Sequence, residues 1–316
     1  MSHIINFSAG PSILPKVVFE EASQAVLNLN GTGLSILEVS HRSAYFEPIL
    51  HEAMALVREL LGLPDDYEVM FLSGGASTQF FMSVMNLLPE GKKAAYVDTG
   101  VWSSKAIHEA KMIASIEVIA SSKDKNYSYI PKGFDISPDF EYLHTTSNNT
   151  IYGTQYQSWP DSSIPMVCDM SSDIFSKPIE PHRFGMIYAG AQKNLGPAGV
   201  TLVIVRKDML GKINKTLPTM LRYETHIQNE SMYNTPPVFP IYVSMLTLRW
   251  LKNLGGLGVM QQMNERKARH VYDIIDSIPF YVGHSVPEDR SRMNVTFNLE
   301  DAALNKEFQT YCEEAG

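Results

Sequence analysis

The chain has 316 residues, of which 44% are hydrophobic and 19% charged, and its formal charge is −8. That length suits about two domains, and that composition builds a core, so a disordered chain is excluded. The acid excess argues against non-specific nucleic-acid binding, and it requires any anionic substrate to be gripped by cations gathered locally against the global field. Two cysteines, Cys168 and Cys312, cannot build a disulfide framework. The first residues carry no basic region followed by an apolar stretch, and no apolar run reaches bilayer length, so the expected location is the cytoplasm.

Residues 1–14 read as an extended arm that turns at Gly10-Pro11. Residues 15–30 read as a helix, because Val17, Val18, Ala22, Ala25, Val26 and Leu29 recur near the 3.6 period, with Pro15 at the start and Gly31 at the stop. A loop over 31–47 carries the basic pair His41-Arg42, and a second helix over 48–61 is closed by Gly62 and Pro64. Strands and helices then alternate. Strands are predicted at Glu68–Leu72, Ala94–Asp98, Ile116–Ala120, Tyr142–Thr145, Met166–Asp169, Met186–Ala189 and Val200–Val205, with helices at Ser77–Leu88 and Trp102–Ile113. Such alternation implies an α/β fold with a mostly parallel sheet covered on both faces. The last two strands are close in sequence, so antiparallel pairing is expected there. Helices follow at Ile241–Asn253 and Leu257–Ile278, then an alternating strand at Met293–Leu299. The expected domains are 15–255 and 256–316.

Four features carry the chemistry. Lys193 is the only charge between Arg183 and Arg206, and it sits in a Gly/Pro-rich turn between two apolar runs. A lysine there should be partly desolvated, which lowers its pKa and frees the amine to attack a carbonyl. Asp169 ends an apolar strand 24 residues earlier, where a carboxylate can pair with a protonated ring nitrogen. The stretch Ser73-Gly74-Gly75-Ala76-Ser77-Thr78 joins a strand to a helix N-terminus and suits a phosphate, although its spacing is neither GxGxxG nor GxxxxGK[ST]. Trp102 lies just past another strand and can stack on a flat ring. Each has an ordinary structural explanation when taken singly. Together they are what pyridoxal 5′-phosphate (PLP) demands.

Asn6-Phe7-Ser8-Ala9-Gly10-Pro11, Ser40-His41-Arg42-Ser43, Gly74-Gly75-Ala76-Ser77-Thr78, Asn148-Asn149-Thr150, Gly190-Ala191-Gln192-Lys193-Asn194 and Asn234-Thr235-Pro236-Pro237 occur in that order. In this the sequence resembles the phosphoserine aminotransferase family, in the class V branch of the PLP aminotransferase type I fold. The resemblance implies a large PLP-binding domain with a smaller α+β domain, and a homodimer with shared active sites. It implies that Lys193 bonds the cofactor aldehyde and acts as acid–base, and that Asp169 holds the ring nitrogen. Trp102 would stack on the ring. Ala76, Ser77, Thr150 and Gln192 would contact the cofactor, and Asn234 and Thr235 would reach its phosphate from the partner subunit. His41 and Arg42 would bind the anionic end of the substrates, L-glutamate and 3-phosphohydroxypyruvate; no metal is expected. Two departures stand out. Ser77 replaces an arginine that many members carry, and members continue past residue 316 into a segment with further substrate-gripping arginine. Alternatives are another class V transaminase, a cysteine desulfurase, or a cofactor-binding dimer with impaired turnover.

Overall fold

The computed structural model describes residues 4–315. Residues 1–3 and 316, the outer ends of the predicted arm and terminal domain, lie outside the described residues. Helix α1 (Lys16–Leu27) buries Val18, Ala22 and Ala25. It stops earlier than its periodicity suggests, because Asn28 turns extended and Asn30 takes a φ of 48° within a short 3-10 turn. The Asn28 side chain accepts from Gly33 N at 2.8 Å, and Leu29 N bonds Leu34 O at 2.7 Å. This local turn takes the backbone groups that another helical turn would need.

Helix α2 (Glu47–Leu61) begins with Pro48 in its first turn and ends at Gly62, whose φ of 62° makes a left-handed cap. Its buried face, Ile49, Leu50, Ala53, Leu56, Val57 and Leu61, recurs at the helical period. Each fully buried aliphatic side chain of this kind stabilises by roughly 1.5–3 kcal/mol.

Next come β1 (Tyr67–Leu72), α3 (Gly75–Leu87), β2 (Lys93–Asp98), α4 (Val101–Lys111), β3 (Ser115–Ser121), β4 (Phe140–Thr146), β5 (Met166–Asp169), β6 (Phe184–Gly190) and β7 (Thr201–Arg206). After them follow α5 (Tyr223–Gln228), α6 (Val238–Asn253), α7 (Gly256–Ser277), β8 (Tyr281–Gly283), β9 (Phe297–Leu299) and α8 (Asn305–Ala315). The described residues form a seven-stranded sheet in the order β1-β7-β6-β5-β4-β2-β3. Strand β7 runs antiparallel to both its neighbours, and the other pairs are parallel. The sheet is thus mostly parallel, with the expected antiparallel pair around Lys193.

Alternate strand residues feed two cores, one on each face. Phe71, Val97, Leu143, Cys168, Ile187 and Leu202 face α1, α2 and α6. Met70, Tyr96, Tyr142, Val167, Tyr188 and Val203 belong to the opposite core, with α3 and α4. Covering both faces explains why these strands read as near-continuous apolar runs.

Past α7 the predicted strand over 293–299 shrinks to Phe297–Leu299, paired with β8. Ser291 Oγ accepts from the backbone N–H of Met293 and Asn294 at 3.0 and 2.8 Å. Asn294 also accepts from Asn148 Nδ2 at 2.8 Å. Side chains therefore hold the segment that the alternation assigned to a ladder. Among the described residues no helix is long and apolar enough to cross a membrane.

The direction of the strands positions the site. Leu72, Asp98, Thr146, Asp169 and Gly190 end five strands that all run the same way. Their carboxyl ends therefore share one edge of the sheet, where α/β folds place their ligands.

Candidate active site

A cavity of about 150 Å³ opens at this edge. Its lining includes Ala76, Ser77, Trp102, Thr150, Asp169, Gln192 and Lys193. Seven of the eleven predicted site residues, drawn from five separate segments, thus meet in one place.

Lys193 lies in the turn between β6 and β7. Ala191 N donates to Val200 O at 3.0 Å and Gly196 N to Ala191 O at 2.9 Å, closing the turn around the lysine. Its side chain is buried, and Nζ donates to Thr150 Oγ1 at 2.5 Å. Burial lowers its pKa, against the opposing attraction of the Asp169 and Asp173 carboxylates. Desolvation wins, so the amine gives up its proton more readily than an exposed lysine does.

Asp169 closes β5 and is buried. Among the described residues only Oδ1 is engaged, accepting from Ser171 N at 2.9 Å and Ser171 Oγ at 2.6 Å. The same hydroxyl accepts from Gly190 N at 3.1 Å, which ties the aspartate to the end of β6. Burial raises the carboxyl pKa, while Ser171 and Lys193 pull it back. Asp173 lies behind, also buried and raised by burial, accepting from Gln155 Nε2 at 3.0 Å and from Ser147 Oγ. Two desolvated carboxylates thus act on one lysine, and a further cation beside Asp169 would be favourable.

The turn before α3 supplies the opposite sign. Gly74 has a φ of 101°, and a Cβ there would collide with Thr78 Oγ1, so glycine is required on both counts. No side chain caps α3. Its first N–H groups, those of Ala76 and Ser77 among them, are left for an anion, and the helix dipole favours one.

Trp102 is held at the start of α4. Ser103 Oγ accepts from Thr99 N and Gly100 N at 2.8 and 2.9 Å. Ser103 Oγ and Ser104 Oγ in turn donate to Asp98 Oδ1 at 3.0 and 2.7 Å. Asp98, read in the sequence only as a strand end, therefore fixes the helix that carries the indole. Lys105 Nζ sits 4.7 Å from the indole centroid.

The donors present fit PLP: an amine with a lowered pKa, a buried carboxylate with one free oxygen, an uncapped helix start and an aromatic wall. Gly75 and Asn148, both in quoted motifs but given no role there, also line it, and Phe80, Thr146, Ser171 and Ser172 complete the lining without having been assigned a role from the sequence. Ser171, two residues after Asp169, carried the legible signal, since a hydroxyl at that spacing can fold back onto the carboxylate.

The other four predicted residues lie elsewhere in this chain. Arg42 is exposed, and neither it nor His41 lines the cavity, although His41 Nε2 is buried without a partner. Asn234 and Thr235 are exposed. Asn234 borders a separate cleft that includes Ser73, Gly74 and Pro236, on the same glycine turn. Cys168 is fully buried in β5 with its thiol pushed up by burial, and Cys312 lies in α8. Neither offers the mobile nucleophile that a desulfurase needs.

Residues 4–316 match the family described as Aminotransferase class-V. The phosphoserine aminotransferase of Flavobacterium johnsoniae is 54% identical over 312 residues, covering 98% of this chain and 88% of that relative. That of Parabacteroides distasonis is 53% identical, with the same two coverages. Among solved structures, the phosphoserine aminotransferase of Bacillus circulans subsp. alkalophilus superposes with a TM-score of 0.95 at 50% identity, covering 98% of this chain and 87% of that one. The PLP-bound phosphoserine aminotransferase of Trichomonas vaginalis gives 0.93 at 36% identity, covering 98% and 89%. With this breadth of match, and a lysine, a carboxylate and an open helix start converging on one cavity, the chain belongs to the class V aminotransferase family.

Proposed function

We propose that this chain is a PLP-dependent phosphoserine aminotransferase, which moves the amino group of L-glutamate to 3-phosphohydroxypyruvate and yields O-phospho-L-serine and 2-oxoglutarate. The observation that carries this reading is the convergence of Lys193, Asp169 and the uncapped start of α3 on one cavity. It is supported by relatives of that name at 53–54% identity over nearly the whole chain.

When bound, PLP supplies an electron sink that acidifies the substrate's α C–H. Asp169 would hold the ring nitrogen protonated through its free oxygen, with Ser171 fixing the other. Ala76 and Ser77 would offer N–H groups to the phosphate, Gln192 would contact the cofactor, and Trp102 would stack on the ring. Lys193 Nζ would hold the cofactor, and when free its amine would take the substrate's α-proton and return it as a general acid–base. Thr150 Oγ1, 2.5 Å away, orients that amine.

His41 and Arg42 bind the anionic end of both substrates, a task that suits an arginine fork for carboxylate and phosphate alike. The enzyme works as a homodimer in which Asn234 and Thr235 reach the partner's cofactor phosphate. Their exposure in this chain supports that arrangement, as do the exposed apolar side chains of the arm, Phe7 at 89% among them. Residues 15–255 form the cofactor domain and residues 256–316 belong to a smaller domain. Its setting is the cytoplasm, in keeping with two unpaired cysteines.

The ultraviolet–visible spectrum of the protein with PLP, before and after L-glutamate, tests the reading. Expected is a visible band that forms with the cofactor and is replaced by the pyridoxamine band on adding glutamate. A protein that forms no band contradicts it. Arg42→Ala should raise the KM for both substrates by roughly 10-fold or more, as loss of a charge-assisted pair costing about 1.5–3 kcal/mol implies. Unchanged steady-state constants for both would show that Arg42 lies outside the substrate site.

A further inference from the structure

The φ of Gly10 lies outside the left-handed region that L side chains avoid. The three nearest atoms that a side chain there would meet all belong to Lys193. An ideal Cβ falls 3.1 Å from Lys193 Cε, 3.3 Å from Cγ and 3.7 Å from Cδ. The backbone of the arm therefore forms one wall of a slot along the lysine stem. Ser12 N donates to Gln192 O at 3.0 Å, which ties the arm to the residue before Lys193. At the far end of the stem, Nζ is held by Thr150 Oγ1 at 2.5 Å.

We infer that the N-terminal arm is a positioning element for Lys193, and that Gly10 sets the width of the lysine's slot. The role rests on the PLP reading above and deepens it. A free lysine has a large side-chain rotational entropy to lose. A stem confined between the arm and Thr150 has lost part of it before the cofactor arrives, so the amine is presented near its attacking position. The step concerned is condensation of the neutral Lys193 amine with the cofactor aldehyde. A carbon–nitrogen double bond forms, and the carbonyl oxygen leaves as water with the two amine protons. A methyl group at position 10 must push on Cε or Cγ, and a larger branched group must push further. The groups offered to the phosphate, ring nitrogen and ring face are on α3, β5 and α4, not on the arm, so a small group at position 10 should leave them in place.

Two ligands separate these effects. PLP can bond the lysine. Pyridoxine 5′-phosphate has the same ring and phosphate but an alcohol in place of the aldehyde, so it binds without reaction. Cofactor-free wild type, Gly10→Ala and Gly10→Val are compared at equal loading, with gel filtration and near-ultraviolet dichroism as the check on fold. Capture of PLP is timed by borohydride reduction followed by mass analysis of the Lys193 peptide. Pyridoxine 5′-phosphate affinity is read by fluorescence. We expect capture to slow about 10-fold in Gly10→Ala and further in Gly10→Val, as for a displaced reacting group, with pyridoxine 5′-phosphate affinity within about 2-fold of wild type. Capture unchanged in both variants overturns the positioning role. Equal losses of capture and of affinity also overturn it, because the arm would then be shaping the whole pocket. Should wild type bind neither ligand, the PLP reading itself falls and the role falls with it. Wild type binding both while the variants capture PLP as fast as wild type sinks the role alone.

Discussion

Lys193→Ala should lower turnover by about 10⁴-fold or more, the upper end of what one positioned acid–base group supplies. On the proposed reading the variant would lose the cofactor bond and the proton carrier together, and among the described residues no other amine lines the cavity. Borohydride should fix no cofactor to it, while non-covalent binding of cofactor at the α3 turn persists. Near-wild-type turnover would remove Lys193 from the chemistry. The wild-type lysine also makes a pH-dependent expectation. Only the neutral amine attacks an aldehyde, so capture of PLP by the cofactor-free protein rises with pH. Burial disfavours the ammonium form and lowers the Lys193 pKa. The rising limb should therefore lie below the value of about 10.4 for an ordinary lysine. A midpoint at or above that value would show that the two nearby carboxylates outweigh burial.

Asp169→Asn should slow the proton-transfer half-reaction with glutamate by roughly 10²–10³-fold, the scale for removing one preorganised electrostatic partner. Asparagine keeps an oxygen for Ser171, so the geometry of the β5 end survives while the charge goes and the free oxygen is replaced by an NH2 donor. Because burial holds the Asp169 carboxyl above the usual range, its charged form costs folding free energy at neutral pH. That cost is absent below the unfolded value of about 3.9 and is felt as pH rises through the folded one. The cofactor-free variant should therefore melt no lower than wild type at neutral pH. A slowed half-reaction with an unlowered Tm isolates the carboxylate as the cause. An unchanged single-turnover rate would show that the ring nitrogen is held by something else.

Much of the architecture was written in local pattern. The Met166–Asp169 strand has the bounds its apolar run implies, and the alternation of strands with helices specified a mostly parallel sheet. Where local side chains capture the backbone, pattern misleads. Asn28 ended α1 early, and Ser291 withdrew Met293 and Asn294 from a ladder. The three residues of β8 are too few to show any alternation.

The chemistry divides in the same way. A lone lysine between apolar runs, an aspartate ending a strand and a glycine turn opening a helix are properties of short segments, so the sequence alone determined which groups could act. Those segments lie up to 118 residues apart between Gly75 and Lys193. Only the shared direction of five strands brings them to one edge, because sheet order is set by long-range pairing that no local window contains. Tertiary structure alone also decided how each group behaves. The low proton affinity of Lys193 depends on its burial against Thr150, and the free oxygen of Asp169 on where Ser171 folds back. Desolvation and hydrogen-bond geometry arise from neighbours distant in sequence, and they turn residue types into a site.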